Sequence, residues 1–299
     1  MEIRSVGVLG CGNMGLGIAQ VSAQAGIPTV LAKATPGAVD GPRGKIEKSL
    51  AREVEKGRLA DDARKKTLDL LTVTDRLHDL ADCDLVLESI IEDADTKRDA
   101  FHRLEEVVKE TAIFATNTST LCITELMTTV RRSDRFLGLH FFNPATAMKL
   151  VEVGPTLKTA PIVLGAVIKL VEGLGKNPVV VQDSTDFIVN RLLVPYLLDA
   201  IESLQRGLST ISDIDSAMQL GAGHPMGPLT LCDFIGLDIV FHMANNLHAE
   251  FRQPRFAPPP LLRRMMLAGM LGRKTGSGFF DYSARPPRPN DWVVRGEGR

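Results

Sequence analysis

A histidine and a glutamate twelve residues apart, His140 and Glu152, stand on either side of an Asn143-Pro144 step. The flanking segments, Arg135 to His140 and Met148 to Val153, have the composition of strands, so the stretch reads as strand, turn, strand. A hairpin-like return of this length sets the two side chains face to face. That pairing has a chemical use. Oxidising an alcohol requires a base for the hydroxyl proton while hydride departs, and imidazole titrates near neutrality. A carboxylate on its other ring nitrogen fixes the tautomer and steadies the imidazolium. Spacing alone does not make the pair catalytic, because a histidine followed at this distance by a glutamate is more often incidental. A second polar cluster, Thr116-Asn117-Thr118-Ser119-Thr120, follows a predicted strand, at the place where open parallel sheets present ligand-binding loops. Ser119 there suits a hydrogen bond to a reacting oxygen, and equally an N-cap for the helix that begins near Ile123.

Near the N-terminus, Gly10-Cys11-Gly12-Asn13-Met14-Gly15 spells GxGxxG directly after a predicted strand and at the start of a predicted helix. In that context the first glycine permits the tight turn and the second admits a pyrophosphate close to the backbone. The third lets helix and sheet pack closely, with helix N–H groups facing the phosphates. About 20 residues beyond the third glycine, where a dinucleotide site usually carries an acid for the adenosine ribose, stands Lys33. An ammonium cannot accept from the ribose hydroxyls and favours a 2′-phosphate. Two readings stay open: Lys33, helped by Arg43, turns the preference toward NADP, or Lys33 points to solvent and NAD binds through its other contacts.

The elements that must position these residues alternate. Strands are expected at residues 3–9, Thr29 to Ala32, Asp84 to Glu88, Ala112 to Thr116 and Phe136 to His140, with helices over Met14 to Ala25, Gly44 to Lys56 and Asp62 to Leu70. Short apolar strands separated by helices imply a parallel sheet covered on both faces, an α/β doubly wound domain of Rossmann type over residues 1–181. After Val179-Val180-Val181 the long segments Asn190 to Gln205 and Gly236 to Phe251 have helical spacing, giving an all-α domain over residues 182–299. The Pro- and Arg-rich stretch after Tyr282 reads as loosely ordered.

With 44% hydrophobic and 24% charged residues and a formal charge of −1, the chain has the make-up of a packed protein with no basic field for nucleic acid or an acidic membrane. Anionic ligands must therefore be held by local groups. The four cysteines, Cys11, Cys83, Cys122 and Cys232, show no CxxC spacing, which argues against a zinc site or a disulfide framework and for a reducing cytoplasm. No apolar run approaches the roughly 18 residues of a membrane span, and a strand from Ile3 leaves no room for a signal peptide.

Taken in order, six blocks, GVLGCGNMGLGIAQ, TNTSTLCIT, RFLGLHFFNPATAMKLVEV, DFIVNRLLVPYL, HPMGPLTLCDFIGLD and GRKTGSGFF, resemble the short-chain L-3-hydroxyacyl-CoA dehydrogenase family, which includes bacterial 3-hydroxybutyryl-CoA dehydrogenases. The resemblance runs from about Val6 to Tyr282. It implies an oxidoreductase that exchanges hydride between NAD and the 3-position of an acyl-CoA. His140 then matches the family's catalytic base and Glu152 its partner, while Ser119 and Asn190 match residues that hold the substrate's 3-oxygen and thioester region. Glu92, Lys97, Asn143 and Lys274 match cofactor-side contacts. Ser49 and Lys56 match positions that touch the CoA moiety, although each also suits an ordinary solvated helix face. Lys33 departs from the family's acidic residue, so NADP stands beside NAD. The family's helical domain dimerises, which implies a homodimer. Two rivals remain: a relative acting on a free 3-hydroxy acid, such as the gulonate dehydrogenases related to a lens crystallin, and a non-catalytic NAD(P)-binding protein of the same fold.

Overall fold

The computed structural model describes residues 1–290 and divides into two compact units, one ending at Phe187 and the other starting at Ile188. That division falls six residues beyond Val181, where the sequence pattern changes.

The first unit begins β1 (Val6–Leu9), α1 (Asn13–Gln24), β2 (Thr29–Ala32), α2 (Asp40–Glu55), α3 (Asp61–Asp69), β3 (Leu71–Thr74) and β4 (Leu85–Glu88). It continues α4 (Ala94–Val107), β5 (Ile113–Thr116), α5 (Ile123–Met127), β6 (Phe136–Phe141), β7 (Leu150–Pro155), α6 (Pro161–Gly173) and β8 (Asn177–Val180). The eight strands form one sheet in the order β3-β2-β1-β4-β5-β6-β7-β8. Six run parallel; the hairpin return makes β7 antiparallel to β6, and β8 is parallel to β7. The sheet is therefore parallel through β6 and reversed beyond it.

Period-two alternation decides which side chain faces which layer. Leu85 and Leu87 of β4, Ile113 and Ala115 of β5 and Leu137, Leu139 and Phe141 of β6 pack with Leu16 and Ile18 of α1 and Val163, Val167 and Val171 of α6. The intervening Val86, Phe114 and Phe136 pack on the opposite face with Phe101 and Leu104 of α4 and Leu126 and Met127 of α5. Burial on both faces explains why these strands read as near-continuous apolar runs. The chain leaves β1 toward β2 and β3 on one side and resumes with β4 on the other. The carboxyl ends of β1 and β4 thus flank the switch point, where ligands bind in such sheets.

The second unit contains α7 (Val189–Gln205), α8 (Ile211–Ala222), α9 (Pro228–Ile235), α10 (Leu237–Phe251) and α11 (Pro260–Leu267), followed by a short ribbon of β9 (Phe280–Asp281) and β10 (Arg288–Pro289). Its core joins Leu197, Leu198, Ile201 and Leu204 of α7 to Val240, Ala244 and Leu247 of α10 and Leu262 and Met265 of α11. The ribbon departs from the all-helical expectation. It also corrects the expectation of loose order after Tyr282, as far as Asn290. The side-chain amide of Asn290 donates to the Gly278 carbonyl at 2.8 Å, and its backbone N–H donates to that of Phe279 at 2.8 Å. The rest of that stretch, 291–299, lies outside the described residues.

Asp233 of α9 anchors the turn into this ribbon. Buried to 1% exposure, it accepts from the Phe279 and Phe280 amides, each at 2.9 Å, and from the Tyr282 hydroxyl at 3.1 Å. Burial outweighs these donors and pushes its carboxyl up from an ordinary 3.8 to about 6, with Asp215 adding to the upward push. The folded chain thus holds this proton more tightly than the unfolded one. The group's stabilising share is complete below about pH 4 and is lost as pH rises through about 6. Between those pH values, urea unfolding of Asp233→Asn is expected to escape a decline of about 3 kcal/mol that wild type shows. Parallel pH profiles for the two proteins would contradict this assignment.

Candidate active site

At the switch point lies a cavity of about 610 Å³, lined by Gly10, Cys11, Gly12, Asn13 and Met14 from the turn after β1, by Lys33, Ala34 and Thr35 after β2, by Ser89, Ile90, Ile91 and Glu92 after β4, and by Thr96, Asn117 and Ser119. The glycine turn has a steric logic. A Cβ on Gly10 would sit 2.2 Å from the Ser89 carbonyl oxygen, and one on Gly15 would sit 1.9 Å from that of Gly10, so neither position accepts a side chain. A Cβ on Gly12 would meet nothing within 4 Å, which leaves open space above the N-terminus of α1. An uncrowded glycine capping a twelve-residue helix fits the pyrophosphate of a dinucleotide, whose charge the helix amides would meet.

The wall opposite is tied together by Glu92. Its carboxylate accepts from the Thr118 hydroxyl at 2.5 Å and from the Ser119 and Thr120 amides at 2.9 and 3.0 Å, which fixes the loop carrying Ser119. Burial pushes the Glu92 carboxyl up, but the Lys97 ammonium and these donors more than reverse it, so it stays below the ordinary carboxylate range. Lys97 is only 1% exposed and lies between two acids, 2.6 Å from Glu88 and 3.2 Å from Glu92. Glu88, fully buried at the end of β4, also accepts from the Thr116 hydroxyl at 2.7 Å and the Ile90 amide at 2.7 Å. Lys97 thus stands behind the cavity wall rather than on its surface. The N-cap reading of Ser119 fails: the amides of Ile123 and Thr124 that open α5 donate to Asp183, at 3.1 and 2.6 Å.

His140 lies one strand beyond that cavity, near the carboxyl end of β6, and Asn117 spans the gap. The Asn117 side chain accepts from the Phe141 amide at 2.9 Å and donates to Ser89 Oγ at 3.3 Å, tying the ends of β4, β5 and β6 together. The antiparallel register sets His140 directly opposite Glu152, and Nδ1 lies 2.9 Å from Oε2. Both are buried, at 6% and 1% exposure. Two cross-strand pairs along, and so on the same face, Gly138 faces Gly154. A Cβ on either would come within 2.6 Å of Ile123 Cδ1, and one on Gly154 would also lie 2.9 Å from the Phe187 ring. The two glycines make a notch for Ile123 and Phe187. Phe187 stacks on the imidazole with ring centres 5.1 Å apart and planes 9° from parallel, and Phe142 flanks it at 4.6 Å. Phe187 adopts φ 50°, a left-handed backbone unusual for an aromatic residue and the kind of strain that concentrates at functional positions.

The remaining sequence-derived residues are spread out. Asn143 is exposed in the turn after β6. Ser49 lies on α2 and Lys56 just past its end. Together with Lys45, Lys48, Arg52 and Glu53 they line a groove of about 350 Å³, where Lys56 lies 3.8 Å from Glu53. Arg43 is engaged by Glu47 at 3.0 Å and by the Leu71 carbonyl, away from Lys33. In the second unit, Asn190 stands in the first turn of α7 and the Lys274 ammonium contacts both Asp238 oxygens at 2.5 Å. Sequence reasoning passed over Glu88, Asp183, Phe187 and the two notch glycines, and took in Asn117 only as part of its polar cluster. Among those passed over, only Glu88 carried a signal, as a carboxylate closing an otherwise apolar strand.

The model of the NAD-binding domain of 3-hydroxyacyl-CoA dehydrogenases matches residues 5–184, and that of the C-terminal domain matches residues 187–282. The chain belongs to the 3-hydroxyacyl-CoA dehydrogenase family. A 3-hydroxybutyryl-CoA dehydrogenase of Mycobacterium tuberculosis is 42% identical over 282 residues, covering 94% of this chain and 99% of that protein. The mitochondrial hydroxyacyl-coenzyme A dehydrogenase of Sus scrofa is 42% identical, with 94% of this chain and 91% of that one covered. Among solved structures, the (S)-3-hydroxybutyryl-CoA dehydrogenase of Ralstonia eutropha superposes with a TM-score of 0.92 at 39% identity, covering 95% of this chain and all of that one.

In this family member, stripping Lys97 of its charge leaves Glu88 buried beside nothing that neutralises it. Lys97→Met is expected to cost about 3–5 kcal/mol in urea unfolding, and adding Glu88→Gln should restore part of that. A loss under about 1 kcal/mol, the size of an exposed pair, would contradict the buried clamp.

Proposed function

We propose that this chain interconverts (S)-3-hydroxyacyl-CoA and 3-oxoacyl-CoA, with short acyl groups such as 3-hydroxybutyryl-CoA as substrate and His140 as the acid/base. The observation that carries the reading is the 2.9 Å contact between His140 Nδ1 and Glu152, buried on the carboxyl edge of the sheet one strand from a cavity fit for a dinucleotide. With Nδ1 engaged by the carboxylate, Nε2 is the atom that takes the 3-hydroxyl proton in oxidation and returns it in reduction. Glu152 holds the ring in one orientation and stabilises the imidazolium, while Phe187 and Phe142 keep it in place and exclude water. Ser119, its amide fixed by Glu92, supplies a donor to the oxygen on which charge develops, and the family resemblance gives Asn190 a substrate-side role. A bound nicotinamide dinucleotide, NAD or NADP, supplies the hydride acceptor or donor. Glu92 acts on this cofactor side, and Asn143 and Lys274 are assigned there through the family resemblance.

The groove beside Ser49 and Lys56 supports a CoA ester over a free acid. Four cations, Lys45, Lys48, Arg52 and Lys56, against one carboxylate suit the phosphates of CoA, and a free hydroxy acid would leave them without a use. The four unpaired cysteines agree with a reducing, cytoplasmic setting, and no helix among the described residues is long and apolar enough to cross a membrane. The family resemblance assigns a homodimer formed through the helical unit, where Leu192, Leu220, Phe234 and Leu267 are exposed.

The test is oxidation of NADH and NADPH driven by acetoacetyl-CoA and, in parallel, by free acetoacetate. Turnover with the CoA ester and little with the acid is expected. His140→Gln should lower kcat about 10²-fold or more while the KM for acetoacetyl-CoA stays within a few-fold. Wild-type turnover in that variant would remove His140 from the chemistry, and preferential use of the free acid would favour the gulonate-type relative.

A further inference from the structure

We propose that Lys33 is a specificity-determining residue that selects a 2′-phosphorylated dinucleotide, so that NADPH rather than NADH is the preferred partner of this cavity. The inference rests on the reading that the cavity holds a nicotinamide dinucleotide. Ala32, the last residue of β2, pairs with Leu9, and the Gly10 amide donates to its carbonyl at 2.8 Å. The next residue, Lys33, therefore leaves the sheet beside the glycine turn and lines the same cavity. In this fold a group at that place meets the adenosine ribose. A carboxylate there accepts from the ribose hydroxyls and repels a phosphate, and an ammonium does the reverse.

Three features of the loop after β2 make Lys33 an anion receptor rather than a solvated side chain. First, the ammonium donates to the Ala38 carbonyl at 3.1 Å, which uses one of its three donors, and no carboxylate among the described residues forms an ion pair with it. Second, the acids of the neighbouring strand end are taken up by donors other than Lys33. Asp75 accepts from the Gly37 amide at 3.1 Å, and Asp79 from the Thr74 hydroxyl at 2.5 Å and from Arg76. Third, the loop closes on the charge. Gly37 has φ +141°, and a Cβ there would lie 2.9 Å from Lys33 Nζ, so the lack of a side chain at this position makes room for the ammonium beside the loop, where the Ala38 carbonyl orients it. Thr35, exposed in the same lining, adds a hydroxyl donor beside the two remaining N–H bonds of Lys33.

Binding of two fragments that share adenosine and the 5′-phosphate isolates the 2′-phosphate without reference to catalysis. Calorimetric titration of the full chain should show 2′,5′-ADP binding at least about tenfold tighter than 5′-AMP, with the difference shrinking as salt is raised. NADPH should likewise bind tighter than NADH. Lys33→Met should erase the difference, and Lys33→Asp should reverse it in favour of 5′-AMP and NADH, with the unfolding midpoint of each variant reporting that the fold is kept. Equal or weaker binding of 2′,5′-ADP by wild type, or a preference that survives Lys33→Met, would overturn the proposal while leaving the dehydrogenase reading intact. Failure of all four ligands to bind would remove both.

Discussion

Across the β6–β7 ladder an imidazole and a carboxylate meet at 2.9 Å with both side chains almost wholly out of water. A carboxylate buried to that degree is costly unless hydrogen bonds or charge compensate it, and compensation is effective only where the geometry is held tightly. The surroundings supply that constraint. The reversal of the chain at β7 puts Glu152 in register with His140, and the glycine pair two positions along the same face makes room for Ile123 and Phe187. Phe187 then lies parallel to the imidazole, so the ring is confined from above as well as from the side. A one-residue slip in the ladder would turn Glu152 to the face occupied by Val151 and Val153 and leave the histidine without its acid.

The same edge of the sheet is stitched laterally. Glu88, Lys97 and Glu92 form an acid–base–acid clamp that ends in four donors on the Thr118–Thr120 loop, and Asn117 links that loop to Ser89 and to the backbone of β6. The cavity wall, the Thr118–Thr120 loop and the end of β6 are therefore mechanically joined by polar groups, each of which has a partner, with Glu88 and Lys97 fully buried among them. Such networks are worth their desolvation only when complete, so a single deletion propagates.

Much of this was legible in the sequence, for local reasons. The glycine hexapeptide between strand and helix and the hairpin around Asn143-Pro144 are written in short-range pattern, and the structure carries both, with β2 at the expected Thr29–Ala32. What was not legible depends on contacts distant in sequence. Phe187 reaches His140 across 47 positions, in a backbone conformation its type does not favour. Lys97, an ordinary helix-face lysine by pattern, is drawn inward by two acids on a loop and strand preceding α4. β3 follows α3 with only Leu70 between them, and its two threonines interrupt the apolar run that marks the other strands, so nothing in the local pattern separates it from the helix. Asn290 read as part of a loose tail because the ribbon that holds it depends on Asp233, more than fifty residues earlier.

The central claim is that His140 and Glu152 act as one proton-handling unit, and a double-mutant cycle on kcat tests it most directly. Groups that work together lose their joint effect once either is gone, so the His140→Gln, Glu152→Gln double variant is expected to turn over within a few-fold of His140→Gln alone, with Glu152→Gln itself strongly impaired. Multiplied losses in the double variant, or a Glu152→Gln protein as fast as wild type, would contradict the account.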